Sequence, residues 1–476
     1  TVNNITLKND AYHFAAELKE LDGEVENRLI VGADKQIDYL NADSAATGIE
    51  GLYVLQFPDA ASAKSAYDYY DALPYVRYVE YDSTDDFSLC SVEGGYDFTP
   101  NCSSTVTSNI DDAIKLIDKV KGNDLPEIKV GVLDSGIAKT NITRSRLDGG
   151  YSYFEGKNAD GTSDSLGHGT KVAGTIIQNT LENVRLYSYQ VMVTGTGSET
   201  SVSRIVSAIY LAASDGCRVI SCSFVYGNGG DAINQAVSDV ADNGTIVVAG
   251  AGNESRSNVM WYPSTCDKSI SVGATDTNRR LASFSNYGSL VDIYATGRGL
   301  TSWNTYGVVV DDWQGTSAAT PVISSICALL LEVEPDITVD EIKSLLVETG
   351  IATNEDEMTE IHRYVADAYE CIKTLTGQEL EKTDLQFEQA GNTITYNSSD
   401  ENASVFYCNN SGSALPIAYK DLYASNWYAA SLGEEKTLRY FVIAATAYAP
   451  GKAKSKTELL KAPIYNYEYG YLINEA

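Results

Sequence analysis

The chain has 476 residues, 43% of them hydrophobic, with a formal net charge of −31 and an isoelectric point of about 4.4. This length accommodates about three domains of roughly 150 residues, each with a sizeable core. The negative charge is dispersed along the chain and repels phosphate backbones and anionic lipids, which argues against nucleic acid and membrane surfaces as partners.

The N-terminal part predicts a small α+β unit. Apolar residues recur there at helical spacing twice, and short apolar runs between them are typical of strands. The predicted elements are helix 8–21, strand 28–31, strand 51–57, helix 59–73 and strand 76–81. Polar sequence without periodicity follows, so we place a domain at 1–88 and a linker at 89–103.

Strands and helices alternate through a second predicted domain, 104–377. Its strands are almost continuously apolar, which predicts an α/β fold with a mostly parallel sheet flanked by helices on both faces. The predicted strands are 127–133, 185–190, 218–223, 245–249 and 269–274, and the predicted helices are 111–120, 168–178, 201–214, 231–242, 339–348 and 361–374, with another beginning near Ser317. Functional groups gather at the carboxyl ends of parallel strands, where Asp134 and Asn253 are expected.

A change of composition predicts a third domain at 378–476. Short segments rich in Tyr, Thr, Val and Ser recur at near-regular spacing, for example at 392–396, 404–408 and 439–447, which is typical of an all-β sandwich. Its tyrosines and Trp427 indicate either glycan binding or ordinary core and surface aromatic residues.

Other features bound the class of protein. No apolar run of about 18 residues occurs, so we expect no membrane span. The chain begins at Thr1 without a basic and then apolar leader, which fits either a processed secreted protein or a shortened sequence.

Few residues are suited to a disulfide or a metal site. Among eight cysteines, only Cys90 and Cys102 flank one loop and suggest a bridge, the alternative being two free thiols. The three histidines, His13, His168 and His362, are not at metal-ligand spacing, so we expect no histidine-based metal site.

Three Gly-containing motifs carry the chemistry. Asp134 follows an apolar strand, His168 opens a predicted helix, and Ser317 lies between a Gly-rich turn and a long apolar run. Acyl transfer by serine requires an imidazole to take its proton and a carboxylate to hold that imidazole. Each residue alone is more often structural, with Ser317 equally suited to cap a helix, but their joint occurrence predicts a catalytic triad.

A developing oxyanion also requires hydrogen-bond donors. Asn253 offers a side-chain amide from a Gly-rich strand exit, although alone it would be interpreted as a turn residue. Because Ser317 opens a helix, its backbone N–H is a second donor, and Pro321 is expected in the tolerated first turn.

The motifs VGVLDSGI around Asp134, GHGTKVAG around His168, VVAGAGNES around Asn253 and GTSAATP around Ser317 resemble those of the subtilisin family of serine endopeptidases. The resemblance covers about residues 104 to 375, and the order Asp, His, Ser is the order known for that family. It implies that Asp134 orients, His168 is the base, Ser317 attacks, and Asn253 with the Ser317 amide binds the oxyanion. Polypeptides are the implied substrates.

The N-terminal domain resembles the inhibitory propeptide of that family. The resemblance implies a proenzyme whose cleft is occupied by its own chain, with self-processing near Phe87–Leu89. The alternative is a permanent accessory domain.

Substrate is expected to pair with two extended segments, a form of strand addition. By position these are Ser223, Phe224 and Val225, and Gly250, Ala251 and Gly252. Trp261 precedes Tyr262 and Pro263 where many relatives have small residues, which predicts a pocket for small or slender apolar side chains unless Trp261 packs elsewhere.

The segment after His168 leaves no room for the tight calcium loop of many relatives. We therefore expect no metal at that position and no required cofactor, while the many carboxylates leave room for weak calcium sites.

We expect an extracellular protein, secreted or at the cell surface. The alternative function is a surface binding or adhesion protein with a latent or inert protease domain. An esterase of the α/β-hydrolase type is not supported, because no candidate serine lies in a GxSxG motif.

Overall fold

The computed structural model describes residues 4–84, 87–89, 108–122, 124–154, 156–194, 200–227, 230–276, 279–353 and 363–380, together with the backbone of several strands between 385 and 473. Cys90, Cys102 and His362 lie outside the described residues, so the proposed Cys90–Cys102 bridge stays a prediction. Five described cysteines are buried free thiols: Cys217, Cys222, Cys266, Cys327 and Cys371.

The N-terminal residues form a four-stranded antiparallel sheet with two helices. The elements are α1 (Asn4–Glu20), β1 (Arg28–Ala33), β2 (Ser44–Ala46), β3 (Leu52–Gln56), α2 (Ala60–Asp71) and β4 (Val76–Tyr81). The strand order is β2-β3-β1-β4. Helix α2 begins at Asp59, whose side chain accepts a hydrogen bond from the amide of Ser62.

Both faces of this sheet are buried. Leu29 and Val31 pack with the apolar side of α2, whereas Ile30 and Val54 point to the opposite face and pack with residues of the central unit. Alternate side chains of a strand point to opposite faces, so one strand serves two interfaces. The N-terminal sheet is therefore continuous with a core that it shares with the rest of the chain.

The central unit is built on a nine-stranded sheet. Its elements begin with β5 (Ser88–Leu89), α3 (Ile110–Lys121), β6 (Ile128–Asp134), β7 (Leu147–Ser152), α4 (His168–Gln178), β8 (Val184–Gln190), α5 (Val202–Ser214), β9 (Cys217–Cys222), β10 (Phe224–Val225), α6 (Asp231–Asp242) and β11 (Ile246–Gly250). They continue with β12 (Ser269–Thr275), β13 (Ile293–Thr296), β14 (Leu300–Trp303), β15 (Val309–Trp313), α7 (Thr316–Val333), α8 (Val339–Glu348), β16 (Ile351–Ala352), β17 (Tyr364–Val365) and α9 (Ala368–Thr376).

The order of the large sheet is β16-β17-β13-β12-β11-β9-β6-β8-β7. All neighbouring pairs are parallel except β16 with β17. Val132 and Val248 pack with α3, α4 and α7 on one face, while Leu133 and Val247 pack with α5 and α6 on the other. The prediction of a mostly parallel sheet with helices on both faces is thus confirmed.

One predicted helix is wrong at its start. Tyr364–Val365, within the predicted helix 361–374, is instead an edge strand of the large sheet, pairing with β13. Helix α9 begins only after Asp367, whose carboxylate accepts from the amide of Glu370. The apolar spacing did not distinguish the short strand from a helical turn. These residues form a strand because they pair with β13, which lies about 70 residues earlier in the chain.

Helix α7 carries Ser317 into the middle of the core. By length and composition it is apolar enough to cross a bilayer, but 94% of its residues are buried inside the protein. A core helix of a globular domain has the same character.

Beyond residue 384 the described strands form two antiparallel sheets. Their members are β18 (Leu385–Ala390), β19 (Thr393–Ser398), β20 (Ser404–Asn409), β21 (Asn426–Ala430), β22 (Glu435–Thr437), β23 (Phe441–Thr446) and β24 (Tyr471–Ile473). The orders are β18-β19-β22 and β21-β20-β23-β24. Strands occur where they were predicted; the sandwich domain itself stays a prediction.

Candidate active site

The candidate site lies at the point of the large sheet where successive strands begin to be added on the opposite side of β6. Strand β6 pairs with β8 on one side and β9 on the other, so the chain leaving β6 and the chain leaving β9 diverge at their carboxyl ends. Asp134 is the last residue of β6, and Ser223 directly follows β9. Crevices at such reversals are the usual ligand sites of open α/β sheets.

Two glycines allow His168 to reach Asp134. Gly167 has φ of +74°, a left-handed conformation that turns the chain into α4. A Cβ on Gly169 would lie 2.2 Å from the carbonyl oxygen of Gly136, so only glycine permits this approach of helix and strand. Nδ1 of His168 lies 2.8 and 2.9 Å from the two carboxylate oxygens of Asp134.

Ser317 completes the arrangement. Its Oγ lies 3.0 Å from Nε2 of His168 and 3.1 Å from the carbonyl oxygen of Ser223, two acceptors within reach of its single hydrogen. Asp134 and Ser317 are fully buried, and His168 is 4% exposed. The three predicted side chains are therefore brought together in a chain of hydrogen bonds from carboxylate to imidazole to hydroxyl.

Pro321 has a different position from the one expected. It is the sixth residue of α7 rather than part of the first turn. A proline has no N–H, so it cannot donate to the carbonyl four residues earlier, which belongs to Ser317. That carbonyl instead accepts from Oγ of Ser223 at 3.2 Å. Each of Ser223 and Ser317 thus has its hydroxyl next to the backbone carbonyl of the other.

The side chain of Asn253 lies beside the start of α7. Its Oδ1 accepts from the amide of Thr316 at 2.9 Å, which fixes the orientation of the side-chain amide. The Asn253 side chain is thus held beside the residue that precedes Ser317.

Sequence reasoning missed Asp164. Its carboxylate accepts from the amides of Gly167 at 2.8 Å and Thr170 at 3.0 Å, and from Oγ of Ser135 at 2.9 Å. Burial raises the pKa of Asp164, while these hydrogen bonds oppose that shift. Asp164 holds the turn that presents His168, and an aspartate shortly before a predicted helix was the available signal.

Trp313 was also missed. Its ring packs edge-on against the imidazole of His168, with centroids 5.3 Å apart, and Nζ of Lys171 lies 5.1 Å from its centroid. No pattern in the sequence distinguishes this tryptophan, because its contact depends on the packing of β15 against α4.

Comparison with known proteins decides the family. The model of the subtilase family matches residues 126–367. The chain belongs to the subtilase family. This subtilase is 37% identical to Subtilisin DY from Bacillus licheniformis over 250 residues, which is 50% of the chain and 88% of the relative. It is 34% identical to Alkaline elastase YaB from Bacillus sp. (strain YaB), with 49% of the chain and 61% of the relative covered. It is 34% identical to Subtilisin Savinase from Lederbergia lenta, with 47% of the chain and 83% of the relative covered.

Family membership makes this subtilase a subtilisin-like serine endopeptidase, a hydrolase whose substrates are polypeptides. Subtilase catalysis requires no cofactor. Across the described ranges, no three His, Cys, Asp or Glu side chains cluster as a metal site. The expectation of weak calcium sites remains a prediction.

The predicted substrate segments of this subtilase lie next to the triad. β10, formed by Phe224–Val225, pairs antiparallel with β5, so that Phe224 is opposite Leu89 and Val225 is opposite Ser88. On the other side, β11 ends at Gly250, and the amide of Gly252 donates to Oγ1 of Thr316 at 3.3 Å.

Trp261 lies between these segments. A Cβ on Gly227 would come within 2.3 Å of its ring and one on Gly252 within 2.9 Å. Its Nε1 donates to Oε2 of Glu254 at 3.0 Å, and the same oxygen accepts from Nδ2 of Asn286 at 2.6 Å. The indole is thus held against both glycines.

Proposed function

We propose that this subtilase cleaves peptide bonds with Ser317 as nucleophile, His168 as general base and Asp134 as the group that orients the imidazole. The observation that carries this proposal is the continuous hydrogen-bond chain from Asp134 through His168 to Ser317. His168 takes the serine proton as Oγ attacks the carbonyl carbon, and the imidazolium is stabilised by Asp134. His168 then gives that proton to the leaving amine, and water hydrolyses the acyl-enzyme by the same steps.

The oxyanion would be bound by Nδ2 of Asn253 and by the backbone N–H of Ser317. Supporting this, Oδ1 of Asn253 is already occupied by Thr316, and Ser317 is the second residue of α7, where the N–H has no partner within the helix. Removal of one such donor typically costs about 10² to 10³ in kcat.

The direct test is labelling by a fluorophosphonate, which requires an activated serine. We expect labelling of the full chain after limited proteolysis and none in Ser317→Ala. If labelling is absent or does not depend on Ser317, the nucleophile assignment is wrong.

We propose further that residues 1–88 form an inhibitory domain, joined by the linker 89–103 to a catalytic domain at 104–377. Support comes from Ser88–Leu89, which pairs with Phe224–Val225 as a substrate strand would. The ring of Phe87 also stacks on that of Tyr226, with centroids 4.4 Å apart, and is 3% exposed. Because Ser88–Leu89 occupies the edge of Phe224–Val225, another polypeptide cannot pair with that edge at the same time.

A second contact region supports the inhibitory role. Asp82 is 1% exposed, and its carboxylate accepts from the amide of Ser203 at 2.9 Å and from the hydroxyl of Ser203 at 2.6 Å, at the N-terminus of α5. Glu80 meets the N-terminus of α6, where the amides of Asp231 and Ala232 hydrogen-bond to it. A carboxylate at a helix N-terminus is favourable, so Asp82 strengthens the docking, whereas burial and the charge of Asp231 disfavour the charged form of Glu80 and raise its pKa to about 7.

The direction of the N-terminal chain refines the expected cut. Residues 87 to 89 run antiparallel to 224–225, so they approach Ser223, whose carbonyl contacts the Ser317 hydroxyl. We therefore expect the cut after Leu89 rather than within Phe87–Leu89. N-terminal sequencing of wild type beside Ser317→Ala tests this: a new terminus beyond Leu89 only in wild type supports self-processing, and an identical terminus in both contradicts it.

The position of Trp261 supports a restricted primary pocket. Its ring packs against Gly227 and Gly252, next to the two segments proposed to bind the substrate backbone. We propose that Ser223 to Val225 and Gly250 to Gly252 bind the substrate backbone and that Trp261 selects small or slender apolar side chains.

The other assignments rest on sequence alone. We propose an accessory β-sandwich at 378–476 and an extracellular location, supported by its pattern of short strands and by the resemblance to subtilisin-like endopeptidases. The alternative of an adhesion protein with an inert protease domain is disfavoured by the intact Asp134, His168 and Ser317, and the labelling experiment separates the two.

A further inference from the structure

The hairpin of β14 and β15 carries the most exposed large apolar side chains of the described residues. Tyr306 is 86% exposed, Val308 58% and Val309 55%. Tyr306 lies in the turn and Val308 and Val309 directly follow it, and these three residues are here named the hairpin tip. Large apolar side chains exposed close together in this way are typical of a binding site.

The hairpin tip is held in one conformation. Oδ1 of Asn304 accepts from the amides of Tyr306 and Val308 at 2.9 and 3.1 Å, which closes the turn. Further down the hairpin, Oγ of Ser302 donates to the carbonyl of Lys171 in α4 at 2.6 Å. The exposed side chains therefore project from a support that is fixed against the helix carrying His168.

The tip lies beside His168. The methyl group of Thr305 is 3.6 Å from the position of a Cβ on Gly167, the residue directly before the imidazole. At the other end of the hairpin, Trp313 packs on the imidazole itself. The hairpin thus contacts His168 through Trp313 at its base, and its turn lies beside the residue that precedes His168.

The chemistry of the reaction determines which part of a substrate passes here. The acyl side of a substrate pairs with Phe224–Val225, where Ser88–Leu89 now lies. The leaving amine takes its proton from Nε2 of His168, so the residues after the cut bond must continue past this imidazole. An extended chain advances about 3.4 Å per residue, so only the first few of these residues come near the hairpin.

We infer that the hairpin tip binds an apolar or aromatic side chain of the polypeptide substrate within the first four residues on the leaving-group side. This inference rests on the proposed function of Ser317 and His168. Tyr306 supplies a broad apolar face, and Val308 and Val309 extend it, so acidic or small polar residues at the same substrate positions gain nothing from it.

The test compares three substrates on the enzyme produced from the full chain by activation. Two internally quenched peptides share one acyl side and differ only after the cut bond, with Leu and Phe in one and Ser and Glu in the other. The third is the same acyl group as a p-nitroanilide, which has no peptide beyond the cut. The variants are Tyr306→Ser, Val308→Ser and their combination, with Val347→Ser as control, because Val347 is an exposed apolar residue of α8, which stays in the enzyme after activation.

We expect kcat/KM for the Leu and Phe peptide to exceed that for the Ser and Glu peptide by about tenfold in wild type, the gain that partial burial of one aromatic ring supplies. The double variant should lose most of this preference, with the anilide rate unchanged, and Val347→Ser should keep the preference. The inference is overturned if wild type shows no preference, if the variants keep it, or if the anilide rate falls equally.

Sedimentation velocity on the same variants tests whether the hairpin tip is instead a contact between copies of the protein. If Tyr306→Ser changes only the oligomeric state, the tip is a contact between copies and the inference is wrong. If wild type cleaves none of the three substrates, the proposed function fails, which is distinct from loss of the leaving-side preference alone.

Discussion

Substitution of Ser203 by alanine is the sharpest test of how the N-terminal domain is held. The hydroxyl of Ser203 donates to the buried carboxylate of Asp82 at 2.6 Å, and no other group of the described N-terminal residues bonds to this hydroxyl. Ser203→Ala removes this bond and the contact of the same hydroxyl with Oγ of Ser201 at 2.9 Å, while Asp82 keeps the amide of residue 203 and its ion pair with Arg28 at 3.3 Å.

The expected magnitude follows from the type of bond. A hydrogen bond to a charged group contributes about 1.5 to 3 kcal/mol, and Asp82 lies in a buried environment where screening is weak. Since about 1.4 kcal/mol is a factor of ten, the equilibrium constant for opening of this contact should rise roughly 10- to 150-fold.

Hydrogen exchange measured by mass spectrometry reports this opening directly. In a Ser317→Ala background, which cannot cut itself, Ser203→Ala should speed exchange in 82–89 and at the start of α5. Ser214→Ala is the matched control, since its Oγ bonds only to the carbonyl of Leu211 at the far end of the same helix. Unchanged protection, or equal loss in the control, would refute the reasoning.

Three other predictions follow from single side chains. Burial and the charge of Asp231 raise the pKa of Glu80 to about 7, so docking should be strongest below about pH 4.5 and weaken as pH rises through 7. Thermal unfolding at pH 5 and 8 should show this loss, of up to about 3 kcal/mol, and Glu80→Gln should reduce it. Trp261→Ala should raise kcat/KM for substrates with Phe at the primary position at least tenfold relative to Ala, measured on a peptide pair. Asp164→Asn should lower kcat/KM by about tenfold or more, measured on a p-nitroanilide, because the amide cannot accept all the bonds that hold the turn before His168.

Each of these has its own contradicting result. An unaltered pH dependence in Glu80→Gln would assign the loss to other groups. Unchanged selectivity in Trp261→Ala would mean that the indole does not limit the pocket. For the third prediction, Asp160→Asn is the control, because Asp160 bonds to Thr162 and Lys139 in the same region without contacting the turn, and an equal loss in both variants would remove the specific role of Asp164.

The sequence predicted the parts of the site that depend on local pattern. Asp134, His168 and Ser317 each follow or open an element with strong apolar periodicity, and glycine marks the close approaches around them. Asp164 and Trp313 were not predicted, because their roles arise from contacts across the fold.

Two other misses have the same physical origin. Tyr364–Val365 is a strand only because β13 is there to pair with it. Pro321 was expected in the first turn of α7. That it leaves the carbonyl of Ser317 without a helical donor follows only from the exact residue at which α7 begins. Local periodicity carries no information on such partners.

The N-terminal sheet has apolar residues on both faces, and the catalytic unit covers one of them. Separation would place Ile30 and Val54 in water, a change that the hydrophobic effect strongly opposes. A freed fragment would lose the support of that face, unfold readily and become a substrate for the enzyme it had covered. If residues 1–88 inhibit as proposed, activation would then run in one direction, since the inhibitor would be consumed by the activity it restrained.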